Sequence, residues 1–257
     1  MSKDKDTINS IDRALNILLL LYDVQKELGV TEIGRHLGLY KSTVHRTLAA
    51  LENKGFVQQN PENGKYWLGM KIYALGMVVG EKMSLKHLIK PYATELSQKF
   101  NEAVNVSILD TNAQDYPKTI LILKEEGSTR LQVNPSVGSS SESHCSAVGK
   151  CLLAFSPKEA LEKLEGKEFP IYTKNTIGNW EQLVKQLEVI RLEGYAIDNE
   201  ELEIGLTCVA APIFDKDNKA IASISISGPT SRIHSSDIDK IIKEVKMTAY
   251  KISSLMK

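Results

Sequence analysis

The feature that most constrains this chain is the succession of elements at its N-terminal end. Ile8, Ile11, Leu15, Leu18 and Tyr22 recur at helical spacing, with Leu19 and Leu21 thickening the stripe and Asn9 or Ser10 placed to cap it. Gly29 ends this region. Thr31 then opens a short second helix, "TEIGRHL", as its N-cap, and Gly38 breaks it. A third helix runs from about Lys41 to Asn53 and stops at Gly55. Two short runs rich in aromatic and β-branched residues flank "NPENG", which is a hairpin signal. Helix, short helix, turn, helix and hairpin in direct succession specify a winged helix-turn-helix.

The rest of the chain needs a second unit. Its 257 residues suit one large domain or two ordinary ones, and 42% hydrophobic with 25% charged residues excludes disordered and collagen-like classes. From Lys71 to Lys82 the pattern is helical, weakened by Gly76 and Gly80, and reads as a linker helix. The expected division is a winged helix over 1–70, a linker helix over 71–84 and an α/β domain over 85–257, an α+β chain as a whole. In the α/β domain a helix (85–100) precedes strand-like runs at 104–110, 120–126 and 131–133. A Ser/Gly-rich loop (134–143) leads into an apolar helix (146–155), and Ser156-Pro157 starts another. "WEQLVKQLEVIRLEG" is an amphipathic helix ended by Gly194. Strands at 207–214 and 220–227 form a hairpin through "DKDNK", and Ser235 or Ser236 caps a final helix to about Leu255.

Charge and compartment set further bounds. Formal net charge is zero, so any affinity for nucleic acid must come from local charge. Cys145, Cys151 and Cys208 do not make an even disulfide framework, which favours a reducing compartment. The apolar run "ILLLLY" is too short to span a bilayer, and "MSKDKDT" lacks a signal-peptide core. These features point to a soluble, cytoplasmic protein with no membrane partner.

The third helix carries the first chemistry. At about 100° per residue, Val44, Leu48 and Leu51 fall in one narrow sector that must face a core, while Ser42, Arg46 and Ala49 point away from it. Thr43 and Ala50 border them on one side, Lys41 and His45 on the other. A groove-reading helix needs this layout: N-terminal side chains reach base edges, and small residues let the backbone approach. Arg46 can fork onto guanine; Ser42 and Thr43 suit phosphates or base edges. Between Arg35 and Lys71 the bases are Arg35, Lys41, Arg46, Lys54, Lys65 and Lys71, against Glu52 and Glu62. An ordinary solvated helix face is the competing explanation, and the flanking helix and hairpin weigh against it. Candidate contacts to double-stranded DNA are Thr31, Arg35, Lys41, Ser42, Thr43, His45, Arg46 and, from the wing at 60–65, Lys65.

At this point the chain resembles the IclR family of transcriptional regulators. The matching segments are "SIDRALNIL", "TEIGRHLGLYKSTVHRTLAALENKGFV", "GKYWLGMKI", "SHCSAVGKCLLAF", "GYAIDNEELEIGLTCVAAPIFD" and "ASISISGPTSRI", in order from residue 10 to about 233. The resemblance implies a winged helix-turn-helix, a linker helix and a GAF/PAS-like effector-binding domain. It also implies homodimers, often paired as tetramers, on palindromic operators.

The second chemistry is a pocket. "IASISISG" alternates strictly, with Ser223, Ser225 and Ser227 on one face and Ala222, Ile224 and Ile226 on the other. A face of hydroxyls needs partners, so it meets solvent, a neighbouring helix or a polar cavity. "SHCSAVGK" leads from a loop into a helix whose first N–H groups, near Ser146, Ala147 and Val148, form a ready anion site. Together with an Asp from "AIDNEE", these groups suit a small organic acid bearing hydroxyl or keto groups. The resemblance implies the same and points to Ala147, Val148, Asp198, Cys208, Ser225 and Ser227, with Ser146 and Leu131 as walls. The chain departs from the family in "SESHCS", which replaces the usual Pro-Leu/Met-His approach to the loop.

Other chemistries are less well supported. His36, His45, His87, His144 and His234 are scattered, and no metal or cofactor is expected. His144 and Cys145 with Cys208 are the alternative, a zinc or redox sensor, but lack further ligands. A Cys/His enzyme lacks an orienting acid and leaves the N-terminal third unexplained. Lys150 reads as an ion-pair anchor to Glu200 or Glu201. The expectation is therefore a non-enzymatic, dimeric regulator of a catabolic operon whose DNA binding responds to a small carboxylate.

Overall fold

The structure is a computed structural model that describes residues 9–82, 84–113, 115–128 and 135–256. The described residues form two compact units, one ending at Ser84 and the other beginning at Leu85.

The first unit contains α1 (Asn9–Val24), α2 (Val30–Leu37), α3 (Lys41–Asn53), β1 (Val57–Gln59), β2 (Tyr66–Leu68) and α4 (Met70–Lys82). Its core joins Ile17 and Leu21 of α1 to Leu28, Ile33, Val44, Leu48, Val57 and Tyr66. The inward stripe of α1 therefore differs from the expected one. Ile11, Leu15 and Leu19 are about half exposed, whereas Leu18 and Tyr22 are partly buried; Ile8 lies outside the described residues. The helix is apolar on more than one side, and α2 and α3 cover the side carrying Ile17 and Leu21. The start of α2 also differs. Gly29, not Thr31, is the N-cap, because the Glu32 carboxylate reaches back to accept the Gly29 N–H at 2.8 Å. Gly38 ends α2 in the left-handed region, at φ +64°.

The hairpin β1–β2 is antiparallel, pairing Val57 with Leu68 and Gln59 with Tyr66. Leu28 joins it by exchanging two backbone hydrogen bonds with Tyr66, at 3.0 and 2.9 Å. Residues 60–65 form the wing. Glu27 holds it from below, accepting from Asn60 Nδ2 at 3.0 Å and Asn63 Nδ2 at 2.8 Å. α4 leaves Met70, Tyr73, Leu75, Met77, Val78 and Val79 exposed.

The second unit comprises α5 (Ser84–Phe100), β3 (Ala103–Asp110), β4 (Lys118–Glu125), β5 (Ser140–Glu142), α6 (Ala147–Ala154), α7 (Lys158–Glu162), α8 (Trp180–Glu193), β6 (Ala196–Asn199), β7 (Leu206–Phe214), β8 (Ala220–Pro229), α9 (Thr230–Ser235) and α10 (Ile238–Ser254). Six strands make one antiparallel sheet in the order β5-β4-β3-β8-β7-β6. Ala222, Ile224 and Ile226 point to one face, packed with Ile89 and Leu96 of α5 and with Ile241, Val245 and Ile252 of α10. The other face receives α6, backed by Leu183, Leu187 and Ile190 of α8.

Three local expectations need correction. The Ser-rich stretch 134–143 is not all loop: Ser140–Glu142 pairs with the edge of β4. Ser156 does not cap α7; its hydroxyl donates backwards to Leu153 O at 2.9 Å, and Pro157 occupies the cap. Ser235 and Ser236 close α9, and Asp237, at φ +62°, stands at the N-terminus of α10. The strand-like run at 131–133 lies outside the described residues.

α6 crosses the end of β5 closely at Gly149. A Cβ there would lie 2.4 Å from Ser143 Cα and 2.5 Å from Ser143 O, both backbone atoms that cannot swing aside. Gly149→Ala is expected to destabilise the second unit by about 1–3 kcal/mol, read as a lower melting temperature. An unchanged melting temperature would contradict this packing.

Candidate functional site: a basic helix face and a polar cavity

On α3, Val44 and Leu48 are fully buried and Leu51 partly so, while Lys41, Ser42, His45, Arg46 and Ala49 are exposed and Thr43 is half-buried. Thr47 Oγ1 donates to Thr43 O at 2.9 Å, so that hydroxyl is spent inside the helix. Thr31 and Arg35 are exposed on α2. Among the described residues no ion pair engages Lys41 or Arg46. Lys65 is placed differently. Its ammonium sits 3.2 Å from Glu32 Oε2, drawing the root of the wing onto α2. The pair is partly exposed, so solvent screening leaves it little weight in stability. Tyr40, 85% exposed at the start of α3, escaped the sequence reading because no spacing rule marks a lone aromatic in a turn.

In the second unit a cavity of about 410 Å³ opens between the N-terminus of α6 and the sheet. Ser146, Ala147, Val148, Asp198, Cys208, Ser225 and Ser227 all line it; Leu131 lies outside the described residues. The strand register explains the grouping. Asp198 stands opposite Cys208, and Cys208 opposite Ser227, so all three share a face. Ser225 stands opposite Asn105 on β3. Sequence reasoning missed Asn105, Ser107, Thr119 and Ser141, which supply further polar side chains of the wall. The alternation in "AVNVSILD" marks Asn105 and Ser107 as one polar face, but nothing local says that β3 neighbours β8. Ser223 of the hydroxyl row lies under α6 instead, donating to Ala211 O at 3.1 Å, next to Cys151.

The helix start offers free donors. Ser146 caps α6, its hydroxyl accepting Gly149 N–H at 3.2 Å while its carbonyl accepts Lys150 N–H at 2.9 Å. The N–H groups of Ala147 and Val148 have no carbonyl to meet within the helix. Inside the wall, Asn105 Nδ2 donates to Ser227 Oγ at 3.2 Å, and the Ser227 hydroxyl in turn meets the Cys208 sulfur.

Asp198 is 1% exposed, and its Oδ1 accepts Glu201 N–H at 2.7 Å. Burial pushes its carboxyl up to about 7; the Glu201 charge acts in the same sense, and backbone N–H donors and Lys150 oppose both. Lys150 is fully buried. Its ammonium donates to Gln186 Oε1 at 2.9 Å, to Ile197 O at 2.7 Å and to Glu201, so of the two expected partners Glu201 is the one used.

The cysteines and histidine of the alternative reading are differently engaged. Burial raises all three thiols well above their ordinary value, Cys151 to about 12, which keeps them protonated and poor as metal ligands or redox nucleophiles. His144 stacks on Phe169 with ring centroids 4.8 Å apart, and its Nε2 lies 3.1 Å from Pro170 O. Among the described residues no group of three His, Cys, Asp or Glu side chains could hold a metal, and no helix is long and apolar enough to cross a membrane.

A winged helix with a basic reading face, followed by a unit built around a small-molecule cavity, defines a two-domain DNA-binding transcriptional regulator. Residues 10–61 match the IclR helix-turn-helix domain and residues 77–254 match the family described as bacterial transcriptional regulator IclR C-terminal. The chain belongs to the IclR family. It is 34% identical over 247 residues to the HTH-type transcriptional regulator XynR of Escherichia coli (strain K12), covering 96% of each chain. The crystal structure of the Thermotoga maritima IclR is similar at 30% identity and a TM-score of 0.69, over 97% of this chain and 99% of that one. An IclR homolog from Microbacterium hydrocarbonoxydans, solved in complex with 4-hydroxybenzoate, shares the fold at 21% identity and a TM-score of 0.78, over 95% and 98% of the two chains.

The raised Asp198 pKa has a consequence for stability. In the unfolded chain the carboxyl titrates near 3.8 and in the folded chain near 7, so between those values the folded state holds a proton that the unfolded state has released. Stability from this group is present below the unfolded value and is lost as pH rises through about 7. Asp198→Asn should therefore raise the melting temperature relative to wild type by an amount that grows from about pH 5 to about pH 8. A difference independent of pH would contradict the burial of an acid at this position.

Proposed function

We propose that the protein is an effector-responsive regulator of a catabolic operon, working as a homodimer or pair of dimers on a palindromic operator and sensing a small organic or sugar-derived carboxylic acid. It acts in the cytoplasm and carries out no chemistry of its own. The observation that carries this reading is the cavity in which the α6 N-terminus faces Asp198, Ser225 and Ser227. The Ala147 and Val148 N–H groups receive the carboxylate, and the serine hydroxyls, with Asp198, receive hydroxyl or keto groups. A carboxylate ligand in the Microbacterium hydrocarbonoxydans homolog supports the ligand class.

Thr31, Arg35, Lys41, Ser42, Thr43, His45 and Arg46 meet the DNA, Arg46 reading a base and the others setting register on the backbone. Lys65 reaches a phosphate by exchanging Glu32 for it, a small loss for so exposed a pair. The half-exposed Ile11, Leu15 and Leu19 of α1 and the apolar side chains of α4 supply surface for a second copy. Two-fold pairing of two heads then calls for a palindromic site. Effector binding shifts the population of effector-domain states, and α4, the connecting helix, passes the shift to the spacing of the heads.

Two experiments test the reading. In a gel-shift assay at low salt the wild type binds its operator, and Arg46→Ala costs about 1–3 kcal/mol and relaxes sequence preference. No binding by the wild type removes the regulator reading; unchanged preference in the variant removes only the base-reading role. In a thermal-shift screen of small carboxylic and sugar acids, at least one raises the melting temperature, and Ser225→Leu abolishes that rise. A screen without a binder removes the carboxylate reading, and a rise that survives Ser225→Leu moves the ligand elsewhere.

A further inference from the structure

The cavity presents an electrostatic conflict to the ligand class just proposed, and the following inference rests on that reading. Among the described residues that line the cavity, the charged side chains are Asp198 and Glu203, both acids. Lys150, the cation whose charge acts on Asp198, is fully committed: it sits between Gln186, the Ile197 carbonyl and Glu201. Lys124 on β4 is paired with Glu126 and is not part of the lining. The α6 N-terminus brings only the partial charge of a helix dipole, about half a unit. An ionised effector would therefore share a buried site with an ionised Asp198, and two carboxylates in one such site cannot both stay charged.

We propose that the effector carboxylate binds together with one proton taken up by Asp198, whose acid O–H then becomes a hydrogen-bond donor to the effector. The groups facing Asp198 leave it as the acceptor of that proton. Glu201, on the turn after β6, is also raised by burial, but the Lys150 ammonium of α6 lies against its carboxylate and favours its charged form. Glu203, on the same turn, stands out in solvent, whereas Asp198 is 1% exposed. Cys208 on β7 and Cys145 before α6 are thiols that already hold their protons, and the charge of Asp198 helps to keep them so. Asp198 is nearly solvent-free and titrates close to neutrality before any ligand arrives, so a second negative charge needs to move it only a little. Asp198 is thus a specificity-determining residue. In its acid form it matches an acceptor oxygen of a monocarboxylate, and in its ionised form it repels one.

Isothermal titration in buffers of different ionisation enthalpy tests this on the full chain. The probe is whichever of acetate, lactate, gluconate and 4-hydroxybenzoate raises the melting temperature. At about pH 8, binding should take up close to one proton, and the dissociation constant should rise by up to about tenfold per pH unit above neutrality. The probes themselves stay ionised over that range, so the slope does not come from them. Asp198→Asn, which carries a neutral donor at the same place, should bind the same probe with no proton uptake and a flat pH profile. Proton uptake near zero in the wild type, or uptake that persists in Asp198→Asn, overturns the inference while leaving the carboxylate reading in place. If no probe binds, the carboxylate reading and the inference fall together.

Discussion

The buried ion pair between Lys150 and Glu201 is the interaction on which the effector domain depends. Taking both charges out of water is costly, and the cost is offset only because the ammonium finds three acceptors at once. Those acceptors come from α8, from β6 and from the turn that follows β6, while Lys150 itself stands on α6. One side chain thus ties together the elements around the cavity. The turn is fixed further by Thr173, whose hydroxyl donates to the Glu200 carbonyl at 2.6 Å, and by Thr176, whose hydroxyl donates to the Glu201 carbonyl. With Glu201 held there, its N–H is aimed at Asp198, and the cavity-lining carboxyl inherits its position from a salt bridge it does not join.

The winged helix uses its acids in a related way. Glu27 is occupied by the Asn60 and Asn63 amides, and Glu32 by Gly29 N–H and Lys65. Both carboxyls are held below their ordinary range by these donors. These two acids are engaged in bracing the wing and the start of α2. Lys41 and Arg46 keep an outward face of positive charge in a chain whose net charge is zero. Local sorting of charge, rather than excess, produces a surface suited to phosphate.

Much of this was legible in the sequence, for identifiable reasons. The buried face of α3 could be read because only Val44, Leu48 and Leu51 recur at helical spacing against polar neighbours. The α1 stripe was misread because Ile11, Leu15 and Leu19 repeat as regularly as Ile17 and Leu21, and only the placement of α2 and α3 chooses between them. One side of the cavity followed from the alternation of β8 and the capped start of α6. The β3 and β4 side did not, because a sheet ordered β5-β4-β3-β8-β7-β6 sets Asn105 against Ser225 across a long stretch of chain. β5 was hidden for a different reason: a short edge strand of serines has no apolar alternation to show. The engagement of Lys65 with Glu32 depends on how the hairpin folds back on α2, which composition does not encode.

Denaturant unfolding of Lys150→Met, Glu201→Leu and the double variant measures directly whether the Lys150–Glu201 pair holds the effector domain together. Each single change strands a buried charge or its acceptors and should destabilise the domain by about 3–5 kcal/mol. The double variant should lose clearly less than the sum, because the partner charge is gone as well. Strictly additive losses, or single changes costing under about 1 kcal/mol as an exposed pair would, would contradict that role for the pair.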